Sequence, residues 1–383
     1  MRIAFDAKRA FQNFTGLGHY SRTLLTSIFE GFAEHEYYLM APKKTDRFDA
    51  SQYNNVHIIE PSGISSSLRS IWRANLMKTD LKKLKIDLYH GLSNEIPLGI
   101  HKTGIKTVVT IHDLIFERYA HHDGAIDTAI YRSKFKYACK KADKVIAISK
   151  QTRDDIVEFY NIDPQKIEVC YQSCNAIFQL LLREEEKEAV RARYGLPKEY
   201  FLYVGSVVDR KNLLTICKAM KLLQNKLSIP LVVIGSGGSY FQKVKQYITE
   251  NRLEESIIFL SEQEYAANEP RYKNSLDFPA IYQMATAMIY PSVYEGFGLP
   301  VLEALWSAIP VITSDQSSLV EVGGDAACLI DPMDEQLMAN EMYDIATNAE
   351  RRSTMIEKGL QHAQNFTPES CAAKVMEVYE SIL

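Results

Sequence analysis

Short apolar runs alternate with longer amphipathic ones along almost the whole chain, and this alternation is what most restricts its fold. A short run of Val, Ile, Leu and Tyr without polar alternation reads as a strand buried on both faces. Such strands belong to parallel sheets covered by helices. The first series reads as strands at about residues 3–5, 37–40, 56–59, 87–90, 107–111, 144–148 and 167–171, with helices starting near Leu17, Ser66, Gly124 and Gln151. The pattern then breaks. Residues 180–193 are highly charged and end at Gly195-Leu-Pro197, which reads as a linker leading into a capping helix. A second series follows at residues 200–205, 231–234, 257–260, 287–290, 311–313 and 327–330, and helices close the chain. The expected fold class is α/β, with two doubly wound parallel-sheet domains at 1–178 and 179–366 and a final helix at 367–383.

At 383 residues and 46% hydrophobic, the chain is long enough for two separate cores. It has no 18-residue apolar run, and Met1-Arg-Ile-Ala-Phe-Asp6 reads as a first strand rather than a signal peptide, so a cytoplasmic protein is expected. Its six cysteines form no CxxC pair, which reads as isolated buried thiols in a reducing compartment, with no metal site. The net charge of −4 hides an asymmetry: residues 1–178 carry 25 Lys/Arg against 20 Asp/Glu, and residues 179–383 carry 19 against 28. A basic first half suits peripheral contact with an anionic membrane face, and solvated faces explain it as well. The run Leu68-Arg-Ser-Ile-Trp-Arg-Ala-Asn-Leu-Met-Lys78 fits either a bilayer surface or a core-facing helix with a charged outer side. No module for nucleic acid is present in the pattern.

The chemistry concentrates in residues 290–305, YPSVYEGFGLPVLEAL, where Glu295 and Glu303 bracket a glycine-rich turn into a helix. Gly296 and Gly298 remove side chains where a ligand would press on backbone N–H groups, and Pro300 suits the first turn of a helix. Bare amides at a helix start favour an anion, and flanking carboxylates accept from sugar and ribose hydroxyls. Phosphate in the middle with hydroxyls at both ends describes a nucleotide sugar.

The full string Pro291-Ser-x-x-Glu-Gly-Phe-Gly-Leu-Pro-x-x-Glu-Ala resembles the donor-site motif of family 4 retaining glycosyltransferases. That resemblance implies the GT-B architecture, two Rossmann-like domains facing across a cleft. It also implies that Glu295 holds donor-sugar hydroxyls, that Glu303 holds the ribose, and that Phe297, Gly298 and Leu299 offer backbone contacts to sugar and phosphate. The final helix is implied to cross back onto the first domain.

Other segments take their meaning beside that motif. Thr15-Gly-Leu-Gly-His-Tyr20 follows the first strand, and its Gly16 and Gly18 suit either a phosphate loop or tight strand–helix packing. It resembles the GxGxY turn of the family. Val204-Gly-Ser-Val-Val-Asp-Arg-Lys-Asn212 follows the second domain's first strand. The carboxyl ends of such strands bind ligands, and Arg210 and Lys211 are cations suited to a leaving diphosphate. The family's lysine matches Lys211. Its frequent arginine after the strand glycine is replaced by Ser206, which leaves Arg210 as the substitute. Gly205 and Gly235 are expected on the donor, the glycines around Gly235 being suited to backing a nucleoside or simply to turning the chain, and Leu260 with Ser261 lies where relatives bind the base through backbone atoms.

Thr110-Ile-His-Asp-Leu114 ends a strand, where relatives keep a histidine near the donor sugar; His112 takes that part and Asp113 orients it or binds the acceptor. Residues 262–276 fit no alternation and read as an inserted surface loop.

The resulting expectation is a retaining, metal-independent hexosyltransferase using no cofactor. His112, Arg210, Lys211 and Glu295 form its catalytic set. It moves a sugar, first of all mannose from GDP-mannose, onto a saccharide or lipid-linked saccharide. Alternatives are a sugar-nucleotide epimerase of the same architecture, a non-catalytic nucleotide-sugar-binding subunit, and an NAD-dependent oxidoreductase, which the missing third glycine at Ser21 disfavours.

Overall fold

The computed structural model describes residues 1–13, 16–63, 67–119 and 125–383. Thr15 and the helix starts expected near Ser66 and Gly124 lie outside the described residues. The chain divides into two compact units: Met1–Cys174 together with Phe366–Leu383, and Asn175–Asn365.

The first unit holds a seven-stranded parallel sheet of β1 (Arg2–Asp6), β2 (Glu36–Met40), β3 (Val56–Ile59), β4 (Leu88–Gly91), β5 (Lys106–Ile111), β6 (Lys144–Ala147) and β7 (Ile167–Val169), in the order 3-2-1-4-5-6-7. The second holds six parallel strands, β8 (Phe201–Val204), β9 (Leu231–Ile234), β10 (Ile257–Phe259), β11 (Ala287–Tyr290), β12 (Val311–Ser314) and β13 (Cys328–Ile330), in the order 10-9-8-11-12-13. In each sheet the strand order reverses beside the first strand, between β1 and β4 and between β8 and β11. In open α/β sheets ligands bind outside the carboxyl ends of the strands at that reversal. The apolar runs form these strands because helices cover both faces; every residue of β9 and β11 is buried.

Local chemistry sets the helix ends. The Ser149 hydroxyl accepts the N–H of Thr152 to start the helix Lys150–Tyr160, and Asn161 closes it in the left-handed conformation. The charged stretch after Leu180 is mostly helix, Glu184–Tyr194, with a glutamate-rich first turn and Gly195 as its left-handed stop. Thr367 caps the last helix, Pro368–Glu380, whose Val375, Met376 and Tyr379 are buried in the first unit.

The run at 68–78 is a helix interrupted by a π turn, Trp72–Leu76. Trp72 and Met77 face the core, whereas Leu68, Ile71 and Leu76 are exposed. The reading of 262–276 as a plain surface loop is corrected: it contains the short helices Glu264–Ala267 and Pro270–Lys273. Pro270 occupies a helix first turn, and the Glu269 side chain caps it by accepting the Arg271 N–H. All six cysteines are free, and five are buried. Among the described residues no helix is long and apolar enough to cross a membrane.

Candidate active site

In the second unit the candidate residues converge at the strand-order reversal. Gly205 follows β8, and a short turn, Asp209–Lys211, presents Arg210 and Lys211 to the loop that follows β11. The Glu295 carboxylate lies 2.9 Å from Arg210 and 3.6 Å from Lys211, and it accepts the hydroxyls of Tyr290 at 2.8 Å and Ser292 at 2.9 Å. Burial pushes the Glu295 carboxyl up, but Lys211, Arg210 and the Tyr290 hydroxyl outweigh it and hold its pKa below the ordinary value. The group is therefore an ionised acceptor at neutral pH.

The two cations are used differently. Arg210 donates to Ser292 and to the Tyr294 carbonyl, and its own carbonyl accepts the Val293 N–H at 2.9 Å, so it fixes the loop that carries Glu295. The Lys211 ammonium donates to the Tyr290 hydroxyl at 2.8 Å and lies over that ring. Two cations facing one carboxylate leave this cluster with an excess positive charge.

The glycine turn needs its glycines. Gly298 has φ +122°, and a Cβ there would stand 2.7 Å from Leu319 Cδ2. It precedes the helix Leu299–Trp306, with Pro300 in the first turn. The Ser318 hydroxyl lies within hydrogen-bond distance of the carbonyls of Glu295 and Phe297, at 2.8 and 2.7 Å, and its one proton serves either, while the Ser317 hydroxyl accepts the Glu295 N–H at 3.1 Å. Phe297 is buried, while Leu299 is partly exposed at the helix start. Glu303, one turn into that helix, accepts the Tyr282 hydroxyl at 2.8 Å, and burial lifts its pKa to about 7.

Gly235, which follows β9, packs on the Gly205 carbonyl, where a Cβ would collide with it. Its N–H goes to the Ser261 hydroxyl at 2.8 Å. Leu260 is fully buried, and its carbonyl accepts the Gln263 N–H at 3.1 Å.

In the first unit His112 and Asp113 follow β5. The His112 N–H donates to Asn94 Oδ1 at 2.9 Å, and its ring Nε2 lies 2.9 Å from the Leu92 carbonyl. A carbonyl only accepts, so Nε2 carries the proton and Nδ1 the lone pair. Burial lowers the ring's pKa to about 4, which keeps it neutral at pH 7. The Tyr20 ring stacks edge-on against His112 at 4.6 Å. A buried relay runs from Tyr20 to Thr110 at 3.1 Å, Thr110 to His90 at 2.8 Å, and His90 to Tyr379 at 2.6 Å. Gly18 lies against the Asn13 carbonyl with no room for a Cβ, and Gly16 opens the helix Gly16–Gly31. Asp113 accepts the Ile115 N–H at 3.2 Å.

The first sheet's own reversal carries residues the sequence reading passed over. Asp6 at the end of β1 and Glu95 after β4 both hold Arg73 from the π turn, at 2.5 and 2.7 Å. Burial works against the guanidinium charge, but the two carboxylates more than offset it and raise its pKa. Beside them lies a cavity of about 100 Å³ lined by Tyr89 and Tyr137 among others. The hydroxyl groups of Tyr290, Tyr282, Ser292, Ser317 and Ser318 were likewise missed. Tyr290 reads as the end of a buried strand and Tyr282 carries no reading; Ser292 stands in the quoted motif without a role, and nothing singles out Ser317 and Ser318.

The family described as Glycosyl transferases group 1 matches residues 184–362, and Glycosyltransferase Family 4 matches residues 16–175. The chain is 26% identical to the O-antigen chain mannosyltransferase B of Escherichia coli, an alignment that covers 99% of this chain and 100% of the relative. It is 29% identical to the O-antigen chain mannosyltransferase RfbU of Salmonella typhimurium, covering 86% and 87%. A solved glycosyltransferase from Rickettsia africae superposes with a TM-score of 0.74 over 100% of this chain and 98% of that one, at 18% identity. With both halves matched in order and both sheets of the GT-B type, the chain belongs to the family 4 glycosyltransferases.

Proposed function

We propose that this glycosyltransferase transfers mannose from GDP-mannose, with retention at the anomeric carbon and without a metal ion. The acceptor is a hydroxyl of a saccharide or lipid-linked saccharide in cell-surface polysaccharide synthesis. The observation that carries the reading is the excess positive charge of Arg210 and Lys211 around Glu295 at the reversal of the second sheet. The mannosyltransferase names of the relatives at 26% and 29% identity support the choice of sugar.

Breaking the anomeric C–O bond leaves a nucleoside diphosphate whose negative charge grows in the transition state, and Lys211 offers a fixed cation for it. Arg210 holds the Glu295 loop in place. Ionised Glu295 accepts from donor-sugar hydroxyls, and Glu303 accepts from the ribose. The leaving phosphate oxygen takes the proton of the attacking acceptor hydroxyl, so no protein nucleophile is assigned. Neutral His112 accepts a sugar hydroxyl at Nδ1. The lysine does the charge work that a divalent ion would do, so turnover persists in EDTA.

Exposed Leu68, Ile71 and Leu76, with Arg69, Lys82 and Lys83 beside them, are proposed to rest on an anionic bilayer surface. Co-sedimentation with anionic but not neutral vesicles checks this.

A thermal-shift panel of nucleotide sugars, in EDTA and again with magnesium, tests the main reading. A donor at about a hundred times its Kd stabilises the fold by about 2.7 kcal/mol. Selective stabilisation by GDP-mannose in EDTA supports the proposal. Selective stabilisation by a uridine donor overturns the donor assignment, and silence to every nucleotide overturns the whole.

A further inference from the structure

The inserted segment 262–276 has no part in the reading above, yet it is built into the same edge of the second sheet. Asp277 is buried at its end, and its carboxylate takes Arg193, the Tyr194 hydroxyl at 2.8 Å and Arg271 at 2.8 Å. These bonds pin the inserted helix Pro270–Lys273 to the helix Glu184–Tyr194. The Tyr272 ring packs against Tyr194 and Phe278, with centroids 5.8 and 5.4 Å apart. So held, the Tyr272 hydroxyl lies 2.8 Å from the Ser261 hydroxyl, which already accepts the Gly235 N–H at 2.8 Å.

Counting protons shows what this pair offers. Two hydroxyls carry two protons, and one is used between them. If Tyr272 donates, the Ser261 oxygen has both lone pairs filled and only its proton left to give. If Ser261 donates, the remaining proton is that of Tyr272. Either way one O–H is left to donate.

Its position along the edge is set by strand order. Ser261 follows β10, Gly235 follows β9, Gly205 follows β8, and Tyr290 ends β11 with Glu295 in the loop after it. Neighbouring strands lie about 4.8 Å apart, so three steps carry the line about 14 Å from the hydroxyl pair to the carboxylate. A donor whose sugar lies at Glu295 and whose diphosphate lies at Lys211 brings its base toward the pair.

We propose that the Ser261–Tyr272 hydroxyl pair, held by the inserted segment, selects the base of the donor by donating to a ring carbonyl oxygen. This inference rests on the nucleotide-sugar reading. Guanine at O6 and uracil at O4 present such an acceptor, whereas adenine at N6 and cytosine at N4 present an amino donor at the matching position. Tyr272 is the specificity-determining residue, and Arg271 and Asp277 position it.

The test measures binding of free GDP, UDP, ADP and CDP to the full chain by calorimetry, in the wild type, Tyr272→Phe and Ser261→Ala. Tyr272→Phe keeps the ring and its packing, so it removes the hydroxyl alone. The wild type is expected to prefer GDP or UDP over ADP and CDP. Tyr272→Phe is expected to cut that preference by about five- to tenfold, the loss of one neutral hydrogen bond, by weakening the oxo-base nucleotides alone. With the nucleotide sugar, the change is expected in KM rather than kcat. An unchanged oxo-to-amino ratio in Tyr272→Phe, or a wild type without that preference, overturns the inference and leaves the donor site standing. A wild type that binds none of the four overturns both.

Discussion

The two sheets reverse their strand order at equivalent places, and the chain fills those places with opposite charge arithmetic. Beside β8 and β11, two cations meet one carboxylate. Beside β1 and β4, one guanidinium sits between two carboxylates, with Lys134 at 3.3 Å from Glu95 and Lys8 within electrostatic reach of Arg73, Asp6 and Glu95. The topology is shared, so position alone does not decide the ligand. At the second reversal the cations outnumber the carboxylate they face, which is the charge the proposed diphosphate site needs. At the first reversal the guanidinium is held directly by two carboxylates.

Removing the cation at each reversal separates these roles. Arg73→Ala leaves Asp6 and Glu95 facing each other with Asp6 buried, and breaking a buried pair in this way costs about 3–5 kcal/mol. Urea unfolding measures it, and a loss below about 1 kcal/mol would mean that water already solvates the cluster. Lys211→Ala is expected to lower kcat about a hundredfold, as loss of a transition-state charge contact does, with a much smaller effect on stability. Near-normal turnover in that variant would remove Lys211 from the chemistry.

The carboxylates sharpen the contrast through pH. The Glu303 pKa is lifted from 4.5 to about 7, so between those values the folded protein holds a proton that the unfolded chain has released. Stability from this group therefore falls as pH rises from about 4.5 to 7 and stays low above that. Glu303→Gln, which is neutral throughout, is expected to be more stable than wild type at pH 8 by about 3 kcal/mol and indistinguishable from it at pH 4. Equal unfolding midpoints at both pH values would refute the shift.

The smallest effect is at Ser318. Ser318→Ala removes the hydroxyl shared by the loop carbonyls of Glu295 and Phe297 and is expected to cost about 1 kcal/mol, seen also as a raised KM for the donor. A KM within experimental error of wild type would show that the glycine turn holds itself.

How much of this was legible in the sequence depends on range. Buried parallel strands announce themselves locally, and β9, β11 and β3 fall on the residues read from their apolar runs. Lys211, Glu295 and Glu303 were legible because they flank glycine turns at strand ends. Arg73 was not, since its partners stand 67 residues before it and 22 after it, and nothing near Trp72 signals a π turn. Tyr290 reads as the end of a buried strand, and both it and Tyr282 are core, but their hydroxyls reach the two site carboxylates. Residues 262–276 looked like loop because their anchor, Asp277, binds side chains of a helix more than 80 positions away.

The last helix has a consequence for how the protein is made. Tyr379 closes the buried relay onto His90, and its helix packs on Gly16–Gly31, so the first unit is incomplete without the chain's final residues. Residues 175–365 are synthesised in between. At about 5–20 residues per second the ribosome needs roughly 10–40 s to deliver them. Throughout that interval the seat for Val375, Met376 and Tyr379 is uncovered apolar surface on a nascent chain, a ready target for chaperones. The first unit begins folding first and finishes last.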